Sequence, residues 1–238
     1  MHRDEHSGFR LLASSFLFLA SCFLCKRNDI IAPLLNGSLQ PFQMKKNKGK
    51  LLMTAAEMDL VLARISAEIV EKLSPHDEFA VIGIRRRGVH LAQRLCRKVE
   101  SILKRPIPLG ILDITLYRDD LTTVSNRPML RETLIDFDLN DLSLVLVDDV
   151  LYTGRTIRAA LDGIVDLGRP KKVQLAVLID RGGRELPIQA DYVGKHVETA
   201  EDEIIEVRLH EVDQEERVVL VKKPTQADID DSRSTNND

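Results

Sequence analysis

The sequence predicts an α/β fold with a central, mainly parallel sheet flanked by helices. Three observations carry this reading. Apolar runs such as Leu144-Val145-Leu146-Val147 lack the polar alternation of a strand with one wet face, so they read as strands buried on both faces. Helical patterns stand between such runs: Val89, Ala92, Leu95, Cys96, Val99 and Leu103, and later Ile157, Ala160, Leu161, Ile164, Val165 and Leu167. Charged residues gather where the apolar runs stop, and open α/β sheets bind their ligands at that end.

Taken in order, Thr54-Ala55-Ala56-Glu57 is a capping box. It opens an amphipathic helix with Met58, Val61, Leu62, Ile65, Ile69 and Leu73 inward, ending near Ser74-Pro75. Residues 79–84 form the first sheet strand, and Arg85-Arg86-Arg87-Gly88 follows before the second helix. Alone, three arginines there read as a solvated turn or an anion site. Their place at the sheet end that also carries Asp148 favours the anion site, where arginine's planar fork suits phosphate oxygens. Gly83-x-x-x-x-Gly88 is not a Walker loop, because Val89-His90 stands in place of Lys and Ser/Thr. Residues 106–116 give a second strand, and 117–131 a long polar loop.

The central strand delivers Asp148 and Asp149 where it emerges, then Thr153-Gly154-Arg155-Thr156 leads into the third helix. A small loop entering a helix N-terminus offers N–H groups and the positive dipole end to a phosphate. Carboxylates beside it suit sugar hydroxyls or a magnesium ion. Two adjacent acids in this setting read as a site rather than as helix caps. Residues 172–179 are a third buried strand, ending in Asp180-Arg181-Gly182-Gly183-Arg184. Arg181 there reads either as a substrate contact or as a salt bridge to Asp180. Short strands at 190–193, 204–209 and 218–221 complete the fold. Lys195, between strands, faces substrate or solvent, and His196 has no assigned role.

The run 148–156 resembles the phosphoribosyl-pyrophosphate (PRPP) motif of type I phosphoribosyltransferases. Together with Asp113-Ile114-Thr115-Leu116-Tyr117-Arg118-Asp119-Asp120, and with Asp180-Arg181-Gly182 followed by Arg184-Glu185-Leu186-Pro187, it is similar to the PyrR family. That family comprises pyrimidine operon attenuators with uracil phosphoribosyltransferase activity, and the likeness spans residues 51–223. It implies a type I phosphoribosyltransferase fold with a small hood and a flexible flap. It implies the conversion of uracil and PRPP to UMP and pyrophosphate, with Mg2+ accompanying PRPP. Asp148, Asp149 and Arg118 become the catalytic residues, the two acids reaching the metal through ribose or water. Arg86, Arg87, Asp149, Val150, Leu151, Tyr152, Thr153, Gly154, Arg155, Thr156 and Arg181 become the substrate-binding set. Residues 85–88 become the pyrophosphate loop and 117–131 the flap, with Arg118 on pyrophosphate. Purine-using relatives carry aspartate where Tyr152 stands. Tyrosine, with a pKa near 10, is a poor base at neutral pH, which suits a pyrimidine.

The resemblance also raises an RNA partner, the leader transcript of a pyrimidine operon. A net charge of −3 exerts no global pull on nucleic acid, so RNA needs a local basic face. The family's RNA face has threonine, histidine, histidine and arginine where this chain has Ala63, Ala67, Gly183 and Gln189. Arg64, Arg184 and Lys195 remain, and Lys45, Lys46, Lys48 and Lys50 precede the first helix. Catalysis therefore ranks first. The alternatives are an RNA-binding attenuator with little catalytic role, or a type I phosphoribosyltransferase for another base. A homo-oligomer, a dimer or larger, is expected by analogy.

The ends are of another character. Residues 11–24 are apolar apart from serines, short for a membrane span of ~20 residues and suited to a signal peptide. Leu19-Ala20-Ser21-Cys22 resembles a lipoprotein cleavage box. An enzyme of PRPP belongs in the cytoplasm, so the expected start is Met44 or Met53, with residues 1–50 an extension and no membrane role for the domain at 51–223. Cys22-x-x-Cys25 lacks the second pair or histidines of a zinc site, and Cys96 reads as core. Residues 224–238 are polar and expected to be disordered.

Overall fold

The computed structural model describes residues 49–73, 78–117 and 133–223. The apolar segment, the Cys22/Cys25 pair, the expected start at Met44, Arg118 with most of the flap, and the polar tail lie outside the described residues. In chain order the elements are β1 (Lys50–Thr54), α1 (Ala55–Lys72), β2 (Phe79–Ile84), α2 (Arg87–Leu103), β3 (Leu109–Leu112), a 3-10 turn (Thr115–Tyr117), β4 (Ser143–Leu151), α3 (Arg155–Leu167), β5 (Lys172–Asp180), β6 (Tyr192–His196), β7 (Glu203–Arg208), α4 (His210–Asp213) and β8 (Arg217–Lys222).

Five strands form a parallel sheet in the order β3-β2-β4-β5-β6. The uninterrupted apolar runs have their cause in its two covered faces. Phe79, Val81, Val145, Val147, Ala176 and Leu178 pack with the inward residues of α1 and α2. Their neighbours Ala80, Ile82, Ile84, Leu144, Leu146, Leu175 and Val177 pack with Ile157, Ala160 and Ile164 of α3. The predicted capping box starts α1: the Glu57 N–H donates to Thr54 Oγ1 (3.3 Å) and the Thr54 N–H to Glu57 Oε2 (2.7 Å). Such caps contribute about 1 kcal/mol. Cys96 is core as expected, its thiol pushed up to about 11 by burial and then by Glu100.

The structure differs from the sequence reading at four places. The strand expected at 190–193 is β6 at Tyr192–His196, so Lys195 stands in a strand and not in a loop, because β5 pairs with it through Ile179↔Lys195 and Asp180↔His196. The second strand stops at Leu112, because the Asp113 carboxylate accepts from the Thr115 N–H (2.9 Å) and hydroxyl (2.6 Å) and folds the chain into a turn. The central strand continues through both acids to Leu151, paired with β5 as far as Leu151↔Asp180. A second, antiparallel sheet, β1-β8-β7, includes a strand at Lys50–Thr54 that no apolar pattern announces.

Candidate active site

The acids owe their placement to unequal neighbours. β2 accompanies β4 only as far as Gly83↔Val147, whereas β5 supports it four residues further. Asp148 and Asp149 thus pass the end of β2 while still held in a strand. Asp148 is buried, and its Oδ1 accepts from the Asp149 N–H at 2.9 Å. The Val150 N–H donates to Asp149 Oδ1 at 3.0 Å. Burial pushes the Asp149 pKa up; a hydrogen bond with Asp148 and then the Arg87 guanidinium pull against that rise.

The chain then turns into α3. Gly154, at φ 93°, occupies the left-handed region, and a Cβ there would lie 3.3 Å from Leu186 Cβ. Leu186 is held close because the Glu185 and Leu186 N–H groups both donate to the Thr153 carbonyl, at 3.0 and 3.1 Å. The first-turn N–H groups of α3 have no intrahelical acceptors, so with the Thr153 and Thr156 hydroxyls they form an anion cradle. The Arg155 side chain is paired with Glu185 at 2.7 Å, and its backbone N–H donates to Thr153 Oγ1 at 3.3 Å, which ties that hydroxyl to the helix start.

The arginine loop is pressed against the acids. A Cβ on Gly88 would sit 2.5 Å from the Val147 carbonyl oxygen and 3.2 Å from Asp148 Cα, so only glycine lets the start of α2 approach β4 this closely. The Arg85–Arg86 peptide is cis, and Arg86 is exposed. Arg87 opens α2 and forks onto Asp213, with Nη2–Oδ1 at 2.9 Å and Nε–Oδ2 at 3.3 Å.

Tyr152 faces a different neighbourhood. The Arg181 guanidinium lies 3.8 Å from its ring centroid, and a Cβ on Gly183 would come within 2.6 Å of its Cε2. Arg181 is itself 8% exposed, with Nε donating to Thr199 Oγ1 at 2.5 Å and Nη2 to the Ala200 carbonyl at 3.2 Å. The ring itself is exposed, so a cation–π contact of this kind contributes about 0.5–1 kcal/mol. The salt-bridge alternative for Arg181 is corrected: Asp180 takes Arg184 Nη2 (2.6 Å) and the Gly182 N–H (2.9 Å), because Arg184 also reaches the carbonyls of Tyr152, Gly182 and Ile188 and stitches this loop to the end of β4. A cleft of about 750 Å³ adjoins it, lined by Arg181, Arg184, Leu186, Ile188, His196 and Val197 among others. Lys195 donates to the Leu52 carbonyl at 2.8 Å, and Arg64 to the Val193 and Gly194 carbonyls, both at 2.8 Å.

The structure therefore brings the acids, the cradle and the arginine loop to one rim, with Tyr152 and Arg181 beside them, while Arg118 is outside the described residues. Thr199, Ala200 and Asp213 are partners that sequence reasoning missed. Each sits 18 or more residues from the side chain it holds, so no local spacing signals it. Among the described residues no group of three or more His, Cys, Asp or Glu could cage a metal ion. Two adjacent acids instead suit a magnesium ion that keeps its waters and arrives on substrate phosphates. No helix among the described residues is long and apolar enough to cross a membrane.

Comparison with known proteins gives this arrangement its kin. Residues 53–213 match the phosphoribosyl transferase domain family. The chain is 58% identical over 161 residues to the bifunctional protein PyrR of Pelotomaculum thermopropionicum, covering 68% of this chain and 89% of that one. It is 55% identical over 172 residues to the bifunctional protein PyrR of Thermus aquaticus, covering 72% and 95%. Among solved structures, a variant hypoxanthine phosphoribosyltransferase from Trypanosoma cruzi complexed with the product IMP aligns with a TM-score of 0.60 at 18% identity, covering 82% of this chain and 95% of that one. A further structure of the hypoxanthine enzyme from that organism gives 0.58 at 20% identity, covering 81% and 99%. At such identities these two speak for the fold alone.

Proposed function

The chain belongs to the PyrR family of type I phosphoribosyltransferases, and from that membership we infer that it joins uracil to PRPP, giving UMP and pyrophosphate, and serves in regulating pyrimidine genes. The observation that carries the reading is the contact of Gly88 with the Val147 carbonyl. It sets the arginine loop against the strand that carries the two acids, which supports one shared site for a phosphorylated, pyrophosphorylated sugar.

The reaction makes a bond between uracil N1 and C1′ of PRPP. The bond from C1′ to the pyrophosphate oxygen breaks, the electron pair leaves on pyrophosphate, and the N1 proton of uracil passes to solvent or to the departing pyrophosphate. Positive charge develops at C1′ and negative charge on the leaving group, so positioning and electrostatics supply most of the catalysis. In this reading the α3 N–H groups, Thr153 and Thr156 grip the 5′-phosphate. Asp148 and Asp149 hold the ribose hydroxyls, and through them or through water the magnesium ion. Magnesium on the substrate neutralises charge on the departing pyrophosphate. Arg86, Arg87 and Arg118 take the pyrophosphate side. Val150, Leu151, Tyr152 and Arg181 line the approach to the base. A half-buried Asp149 whose pKa is raised favours this role, because ribose hydroxyl donors and a nearby cation restore the stability of its charge.

Regulation through a leader transcript belongs to the same proposal. Arg64, Arg184 and Lys195, which remain of the family's RNA face, hydrogen-bond to backbone carbonyls within the domain, contacts that fix their side chains without neutralising charge. A homodimer or larger assembly in the cytoplasm completes the reading. The test is a product assay with clean protein, magnesium, PRPP and each of uracil, cytosine, hypoxanthine and guanine. UMP from uracil alone is the expected result, and no nucleotide from any base would overturn it.

A further inference from the structure

We propose that Asp213 is a positioning residue for this reaction: its carboxylate aims the Arg87 guanidinium at the pyrophosphate side of the site. The proposal rests on the phosphoribosyl-transfer reading above. Arg87 is the first residue of α2, directly before Gly88, whose approach to Val147 and Asp148 fixes the start of the helix. Backbone position is therefore settled, and what remains is the side chain. A free arginine side chain samples many rotamers, and an aimed fork has already lost that freedom before substrate arrives.

Asp213 is equipped to do the aiming. It meets Arg87 through both oxygens, and its Oδ2 also accepts from the Leu209 N–H at 3.0 Å. Its own N–H donates to the Leu209 carbonyl at 2.7 Å, so backbone and side chain close on the same turn. A guanidinium has five N–H donors, and this fork uses one from Nε and one from Nη2. The Arg87 charge is also felt at Asp149, which agrees with a guanidinium held near the acids.

The competing explanation is a mere clasp between α2 and the α4 turn, and the structure supplies the control. Arg94, two turns along the same face of α2, bonds Glu211 (2.7 Å) and Glu216 (3.0 Å). That cluster lies farther along α2 and holds the same turn in place, so Asp213→Asn can loosen Arg87 without releasing α4.

The experiment compares Asp213→Asn, Arg94→Gln, Arg87→Ala and the Arg87→Ala/Asp213→Asn double variant in the full chain. It reads Tm, KM for PRPP and for uracil, and magnesium-pyrophosphate affinity by calorimetry. Asp213→Asn should raise KM for PRPP and weaken pyrophosphate about tenfold, with KM for uracil and Tm near the parent values. Arg94→Gln should lower Tm and spare both constants. The double variant should bind pyrophosphate no worse than Arg87→Ala, because the two residues act as one unit. The proposal falls if Asp213→Asn behaves like Arg94→Gln, or if it tightens pyrophosphate, which would make Asp213 a competitor for Arg87. Calorimetry needs no acceptor base. A parent protein that makes no UMP would sink the functional reading and leave this test intact.

Discussion

The phosphate cradle and the base-facing wall lie at the same end of β4 and are built in opposite ways. The cradle lies in one stretch, Asp148 through Thr156, in which strand, acids, turn and helix start follow one another, and Tyr152 is the one side chain of that stretch that turns instead to Arg181 and Gly183. The wall is put together from three stretches: Tyr152, then Arg181 and Gly183, then Thr199 and Ala200. A contiguous device is fixed by backbone geometry and leaves little room for variation. A composite one is fixed by side chains that can change separately. On the proposed function, the common step, holding an activated ribose, falls to the cradle and the choice of base to the wall. Substitutions in the cradle should therefore impair PRPP use whatever the acceptor, while those in the wall should act on uracil.

The hardest test of that division is Asp149→Asn. With one of the two acids lost, the turnover of PRPP and uracil should fall about 10²- to 10³-fold, the size expected for removing a charge-stabilising group. Stability should move the other way. Burial raises the Asp149 pKa, so the folded protein binds this proton more tightly than the unfolded chain. The stability attached to the group is then lost as pH rises through the interval between the unfolded and folded values. At neutral pH the neutral asparagine should leave Tm equal or higher, read by scanning fluorimetry beside the product assay. A variant that loses both rate and Tm would make Asp149 a structural acid and break the comparison at its root.

The same contrast governs what could be seen in the sequence. Apolar runs, the capping box and Thr153-Gly154-Arg155-Thr156 are local patterns, and the parallel sheet and its cradle follow from them. The antiparallel sheet does not: Lys50–Thr54 is a strand because β8 lies beside it, and that partner is more than 160 residues away in sequence. Arg181 was legible as a charge at a strand end, but its choice of Tyr152 and Thr199 over Asp180 depends on Arg184 having taken Asp180. Competition among partners leaves no periodicity to read.

A smaller effect is expected at Gly154. Alanine there would hold a left-handed backbone and crowd Leu186, at a cost of about 1–3 kcal/mol. KM for PRPP should rise about tenfold while KM for uracil stays near the parent value. A change confined to uracil would show the cradle and the wall to be mechanically one. Arg181→Lys is the mirror experiment. Lysine keeps the charge but not the flat fork that stacks on Tyr152 and reaches Thr199. About a fivefold rise in KM for uracil, with PRPP unchanged, is the expected result for a lost cation–π contact.

The finest probe is Tyr152→Phe. Arg181 lies over the ring face, and Gly183 closes on its edge carbons, so both contacts survive loss of the hydroxyl. If the wall works by shape, kcat/KM for uracil in the phenylalanine variant should stay within about twofold of the parent, and the cation–π contact should persist. A fall beyond tenfold would make the hydroxyl a participant in handling the base. The wall would then carry chemistry as well as choice.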